Sequence, residues 1–174
     1  MIPYLEFWTQ DFSVSRKETQ MAINTTFTSG AILTAAQMNA LPFGAVSTGV
    51  NITSLSQTGI TTIVDITGAS ITFTAVSGRR YKASFSISAS ADAANTGCNI
   101  SITDSTPTTQ QQSVFNLAVS GEQNCLTGVF YFTAASSGSL TRKLRVQRQY
   151  GTGNITLTAL STLALQFQIE DIGN

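Results

Sequence analysis

The chain has 174 residues, 42% hydrophobic and only 10% charged, with nine basic and nine acidic side chains and no histidine. Zero net charge excludes a general attraction to nucleic acid or to an anionic membrane surface. The lack of histidine removes the commonest general base and the commonest metal ligand, which weighs against hydrolase chemistry.

An ordinary soluble domain is about a quarter charged; here Thr, Ser, Asn and Gln take that place. Thr suits strands because its branched Cβ fits a pleated surface. The composition therefore points to strands with neutral polar faces. The length suits one domain with a short extra segment, large enough to bury a core without staples. No apolar run approaches the roughly 18 residues that span a membrane, so membrane insertion is not expected.

Residues 1–21 mix Tyr4, Leu5, Phe7, Trp8 and Phe12 with Glu6, Asp11, Arg16, Lys17 and Glu18, without a helix or strand period. They read as an N-terminal arm. Large apolar side chains on an arm are natural anchors in a partner's pocket, so Tyr4, Leu5, Phe7, Trp8 and Phe12 are the assembly-anchor candidates. A disordered leader is the competing reading. The start lacks a basic stretch followed by an apolar one, so no signal peptide is expected. Residues 22–60 read as a connector. Within it Thr34 is a good N-cap, residues 35–41 suit two helical turns, and Pro42 stops them. This gives one short helix at about 34–41.

Residues 61–174 read as strand after strand. Ile71, Phe73 and Ala75 alternate with Thr72 and Thr74, and Ser77-Gly78-Arg79 is a turn signal. Tyr81, Ala83, Phe85, Ile87 and Ala89 then alternate with Lys82, Ser84, Ser86 and Ser88, so 70–90 has the look of a hairpin. Cys98, Ile100 and Ile102 form a short strand that Pro107 ends. Phe115, Leu117 and Val119 follow. Val129-Phe130-Tyr131-Phe132 is apolar on both faces, as a central sandwich strand is. Leu144, Val146 and Tyr150 alternate with Lys143, Arg145, Gln147 and Gln149, and Gly151-Thr152-Gly153-Asn154 reads as a hairpin turn. Ile155, Leu157 and Ala159 lead to Leu163, Leu165, Phe167 and Ile169. About eight strands with regular turn signals make an all-β, antiparallel β-sandwich, jelly-roll-like. The lack of strand–helix alternation excludes a parallel α/β sheet.

No residue is nominated as catalytic, cofactor-binding or metal-ligating, and no cofactor is expected. Serines lack a histidine partner and a GxSxG elbow. A calcium site from Asp92, Asp104, Asn95 and Asn99 would lack the DxDxDG loop, and turn roles explain these residues. Cys98 and Cys125 lack zinc spacing. They read as two small buried residues, with a disulfide between neighbouring strands as the alternative. Arg142, Lys143, Arg145 and Arg148 are the densest basic group and the basic-patch candidates. Such a patch would face an acidic subunit or a polyanionic cell surface; the alternative is an edge strand that charge keeps from aggregating. A period of two places Arg142 and Arg148 on the Leu144/Val146 face and Lys143 and Arg145 nearer the other. Tyr81, Tyr131 and Tyr150 are the aromatic candidates for glycan contact.

Four patches carry a family resemblance. Phe27-Thr-Ser-Gly-Ala-Ile-Leu-Thr-Ala-Ala-Gln-Met-Asn-Ala-Leu41, followed by Phe43-Gly44, resembles the start of small tailed-bacteriophage minor tail and virion structural proteins, in which G-x-x-L-T-A-A-x-M-N precedes a β domain. Phe73-Thr-Ala-Val-Ser-Gly-Arg-Arg-Tyr81 is similar to their F-T-A-x-x-G-x-x-Y hairpin. Gln147-Arg-Gln-Tyr-Gly-Thr-Gly153 is similar to their Q-R-x-x-G-T-G turn, and Ile169-Glu-Asp-Ile-Gly173 to their V-E-D-I-G close. The patches keep their order over residues 22–173; the arm lies outside them. The resemblance implies a non-enzymatic virion component: a minor tail, neck, collar or decoration protein. Its partners would be tail, neck or capsid subunits and further copies of itself, with a trimer favoured. The alternative is a receptor- or glycan-binding module of a tail fibre or capsid surface, with a cell-surface glycan as partner.

Overall fold

In the computed structural model the described residues are Met38, 41–104 and 109–173. The expected arm over 1–21, with Tyr4, Leu5, Phe7, Trp8 and Phe12, lies outside them, as does most of the helix expected at about 34–41. Met38 is helical, and its carbonyl accepts a bond from the Leu41 N–H at 3.2 Å.

The strands are β1 (Gly44–Ala45), β2 (Val50–Ile52), β3 (Leu55–Ile60), β4 (Val64–Ala75), β5 (Arg80–Ala91), β6 (Thr96–Thr103), β7 (Thr109–Leu117), β8 (Asn124–Thr133), β9 (Gly138–Tyr150), β10 (Ile155–Ala159) and β11 (Leu165–Gly173). They form two antiparallel sheets packed as a sandwich. In the first sheet β8 pairs one side of β5. The other side of β5 takes β11 along its first half and β10 along its second. Beyond these, β3 pairs β10, while β2 and β1 pair β11. So β10 and β11 run end to end as one line, and β1, β2 and β3 as another. Seven strands thus occupy four lines. The second sheet runs β4-β9-β6-β7. Counted along the chain, the eight lines stand in the orders 1-8-3-6 and 2-7-4-5, the paired Greek keys of a jelly roll.

Alternation builds the core. On β5, Tyr81, Ala83, Phe85, Ile87, Ala89 and Ala91 face inward and are buried. They meet Ile71, Phe73 and Ala75 of β4, Ile100 and Ile102 of β6, and Leu144 and Val146 of β9. The Phe73 and Tyr81 rings lie 5.0 Å apart and the Phe85 and Phe130 rings 5.4 Å apart, within the range where aromatic pairs add to plain burial. The Tyr81 hydroxyl accepts a bond from the Val76 N–H at 2.9 Å, so this fully buried phenol is satisfied.

The connectivity corrects several expectations. Residues 70–90 are not a hairpin: β4 and β5 belong to different sheets, and the turn at Ser77-Gly78, with Gly78 at φ +81°, carries the chain across. The Gly151–Asn154 turn likewise crosses from β9 in one sheet to β10 in the other. A period of two marks which face is apolar but not which strand is the neighbour. Residues 44–60, expected within the connector, form the first line of the jelly roll. Val50, Ile52 and Leu55 pack on the core, but breaks between β1, β2 and β3 hide the alternation. Among the described residues β8 pairs with β5 alone, so the Val129–Phe132 run lies on an edge strand rather than a central one, and the 142–148 run lies on β9, between β4 and β6 rather than at an edge.

Candidate interaction surfaces

Two features stand out: a buried ion pair that fastens the ends of the described chain, and an uncharged outer face on the first sheet.

The ion pair is Arg79–Asp171. Nε and Nη2 of Arg79 donate to the two carboxylate oxygens at 2.6 and 2.8 Å, with both side chains 3% exposed. Such a bidentate fork matches guanidinium to carboxylate. The Asp171 hydrogen bond raises the Arg79 pKa above its usual value, against the opposing pull of burial. Asp171 Oδ1 also accepts the Gly173 N–H at 2.9 Å. Arg79 Nη2 donates to the Leu41 carbonyl, and its guanidinium sits 4.3 Å from the Phe43 ring centre. One cation therefore ties together the chain at 41–43, the crossing turn after β4 and the last strand.

The outer face of the first sheet is built in cross-strand rows. Val129 of β8, Ser84 of β5 and Gln168 of β11 form one row; Thr127, Ser86, Gln166 and Asn51 of β2 form the next; Cys125, Ser88, Thr158 and Ser56 form a third. These positions alternate with the core ones, so all lie on the outer side of the sheet and none carries charge; Ser88 is covered there, its hydroxyl donating to Gln123 Oε1. A fourth row, Tyr131, Lys82 and Glu170, bounds the face with a Lys82–Glu170 ion pair. A depression of about 140 Å³ lies between Ser84, Ser86, Gln166 and Gln168, and one of about 210 Å³ adjoins it beside Thr48 and Asn51. Both are smaller than the roughly 300–1,000 Å³ of enclosed small-molecule sites, so the face offers shallow contact.

The basic-patch candidates do not share one surface. Lys143 and Arg145 face out and pair with Asp65 at 3.2 and 2.7 Å. Arg142 points inward, 6% exposed, with its guanidinium 4.5 Å from the Phe132 ring centre and Nη1 donating to the Thr141 carbonyl. Burial lowers the Arg142 pKa, which Asp104 partly offsets. Arg148 donates to the carbonyls of Thr152 and Gly153 and so braces the crossing turn. Of the tyrosines, Tyr81 is core, while Tyr131 and Tyr150 are half exposed.

Asp92 and Asp104 stand at opposite ends of β6. Asp92 accepts the backbone and side-chain N–H groups of Asn154 at 2.6 and 2.7 Å, which hold its pKa below the usual range. Among the described residues, no three His, Cys, Asp or Glu side chains cluster as metal ligands. Both cysteines are free thiols, but only Cys98 is buried. Cys125 is exposed because it shares the outward phase of Thr127 and Val129. Sequence reasoning missed the Arg79–Asp171 pair, because the turn and the terminal strand meet only in three dimensions. It also missed the amide cluster on the second sheet, where the buried Asn99 Nδ2 donates to the exposed Gln112 and Gln149.

No protein-family model matches the chain, and no curated protein matches it. Among solved structures it is similar to a CBM4 carbohydrate-binding module, at 17% identity and TM-score 0.35, over 71% of this chain and 80% of that one. It is also similar to a protein of infectious bursal disease virus (11% identity, TM-score 0.39) and to a family two carbohydrate esterase from Cellvibrio japonicus (14%, TM-score 0.27). These two matches cover 76% of this chain but only 38% and 33% of the longer proteins. At such values the likeness is one of β-sandwich architecture alone.

Proposed function

We propose that this protein is a structural component of a bacteriophage virion, a minor tail, neck, collar or decoration protein, and that it works by protein–protein assembly rather than catalysis. The observation that carries this reading is the Arg79 cluster. Leu41 and Phe43 come from the first family-like patch, Arg79 from the second and Asp171 from the last. Patches far apart in sequence thus converge on one buried ion pair, which supports a shared fold rather than chance short matches. The arm, through Tyr4, Leu5, Phe7, Trp8 and Phe12, is the proposed anchor, and the uncharged face packs against neighbours with little charge to desolvate. The test is quantitative mass spectrometry of purified particles. The reading expects the chain in stoichiometric copies, lost when residues 1–20 are deleted although the remainder still folds. Absence of the intact chain from particles contradicts the reading; normal incorporation of the trimmed chain contradicts the anchor.

A second reading, a receptor- or glycan-binding module, is favoured by one observation. The rows around Ser84, Ser86, Gln166 and Gln168 present neutral donors and acceptors along shallow depressions, with Tyr131 at their border. Sugar hydroxyls are met by such groups together with aromatic faces. Titration of the full chain against host-surface glycans tests it. Binding that Gln166→Ala abolishes supports the module; silence across the set removes it.

A further inference from the structure

The two sheets end side by side along one flank, at β7 and β8. There Gln111 Oε1 of β7 accepts the Tyr131 N–H of β8 at 2.8 Å. That bond fixes the polarity of the β8 edge. In an antiparallel ladder the N–H and C=O of one residue point the same way, and the direction alternates along the strand. The Tyr131 N–H points away from β5, so those of Cys125, Thr127, Val129 and Thr133 do too. The pairing with β5 runs through ten residues without a register shift, so the alternation is unbroken.

Native proteins protect such edges with charge, proline, kinks or very short strands. The opposite flank follows that rule. There β4 carries Asp65, a register shift between Asp65 and Ser70, and Gly68 at φ +78°, and the outer line is broken into β1, β2 and β3. Neither β7 nor β8 contains a charged residue or a proline. Val114, Val129 and Tyr131 are also 46%, 45% and 48% exposed. The outer face of β8 thus carries exposed apolar side chains, and its free hydrogen-bonding edge is a separate feature: among the described residues β8 pairs with β5 alone.

We propose that a second copy of this chain covers this edge, with β8 pairing antiparallel to β8 about a two-fold axis, the Tyr131 N–H exchanging Gln111 Oε1 for a backbone carbonyl of the second copy, and the two four-line sheets joining into one. Self-pairing places each strand against its own sequence. A strand with no charge meets itself without like-charge repulsion, and exposed Val129 and Tyr131 meet equally apolar surface. A charged partner would find no complement there. Where the family resemblance implies a trimer, this geometry gives a dimer. The inference rests on the assembly reading and specifies its self-contact.

The test is sedimentation equilibrium of the full 18.4 kDa chain. Twice that mass is expected. Thr127→Pro removes an outward N–H that β5 does not use, and Val129→Lys places a charge at the edge without altering the backbone. Each is expected to weaken self-association by about tenfold or more, with circular dichroism unchanged. If Thr127→Pro disturbs the spectrum, Val129→Lys decides. A wild-type monomer, a wild-type trimer, or a dimer that Val129→Lys leaves intact overturns the proposal. A monomer that is nonetheless found in purified particles sinks the self-pairing and leaves the assembly reading standing. A dimer absent from particles does the reverse.

Discussion

Replacing Asp171 by Asn keeps the side chain's size but leaves the Arg79 guanidinium buried without its counter-charge. The pair is bidentate at 2.6 and 2.8 Å, and both partners are 3% exposed. Breaking a buried pair by removing one partner costs about 3–5 kcal/mol, because an uncompensated charge stays inside. The Leu41 carbonyl and the Phe43 ring remain near Arg79 and keep some of its contacts, which places the cost near the lower bound, about 3 kcal/mol. For a chain of this size that lowers the melting temperature by about 6–12 °C. Replacing both partners, Arg79→Met with Asp171→Leu, removes the stranded charge and is expected to recover most of the loss. Urea unfolding of the two single variants and the double variant gives the coupling directly. A cost below about 1 kcal/mol for Asp171→Asn would refute the fastening role argued for this pair.

Four further outcomes are expected. Gly128→Ala places a methyl about 2.5 Å from the Phe85 ring, which is held by stacking on Phe130; overpacking of this kind costs about 1–3 kcal/mol in urea unfolding. A thiol reagent at pH 8 is expected to titrate one group per native chain, Cys125, and two after denaturation, because burial pushes Cys98 up to about 12. The raised value means the native state keeps its proton while the unfolded state loses it above about pH 9. Stability is therefore full below that pH and falls through the window up to 12. By pH 11 the wild type should lose on the order of 2–3 kcal/mol more than Cys98→Ala. Asp92 has the opposite sign: its lowered pKa stabilises above the usual carboxylate range, and that contribution disappears as pH falls through the native value. Asp92→Asn is expected to flatten the acid limb of a melting-temperature profile.

Much of the architecture was legible because β5, β9, β11 and the second half of β4 carry clean alternation, and burial largely follows it. The split of Arg142 from Lys143 and Arg145 followed from the same period. Partnership was not legible. A strand crossing between sheets at Gly78 has the same local signature as a hairpin, since both need a residue at positive φ. Val129–Phe132 has the composition of a central strand, and nothing local marks it as an edge. The Arg79–Asp171 pair joins positions 92 apart in sequence and has no local signature at all. The neutral polar phase was visible on β5 as Ser84, Ser86 and Ser88, but the register that aligns it with Gln166 and Gln168 into rows was not.

Electron cryomicroscopy of the purified particle tests the virion assignment most directly. The account predicts density for this eight-line sandwich at a symmetric position on the tail, neck or capsid surface. A particle map in which every subunit is accounted for, with no sandwich matching this chain, would contradict it.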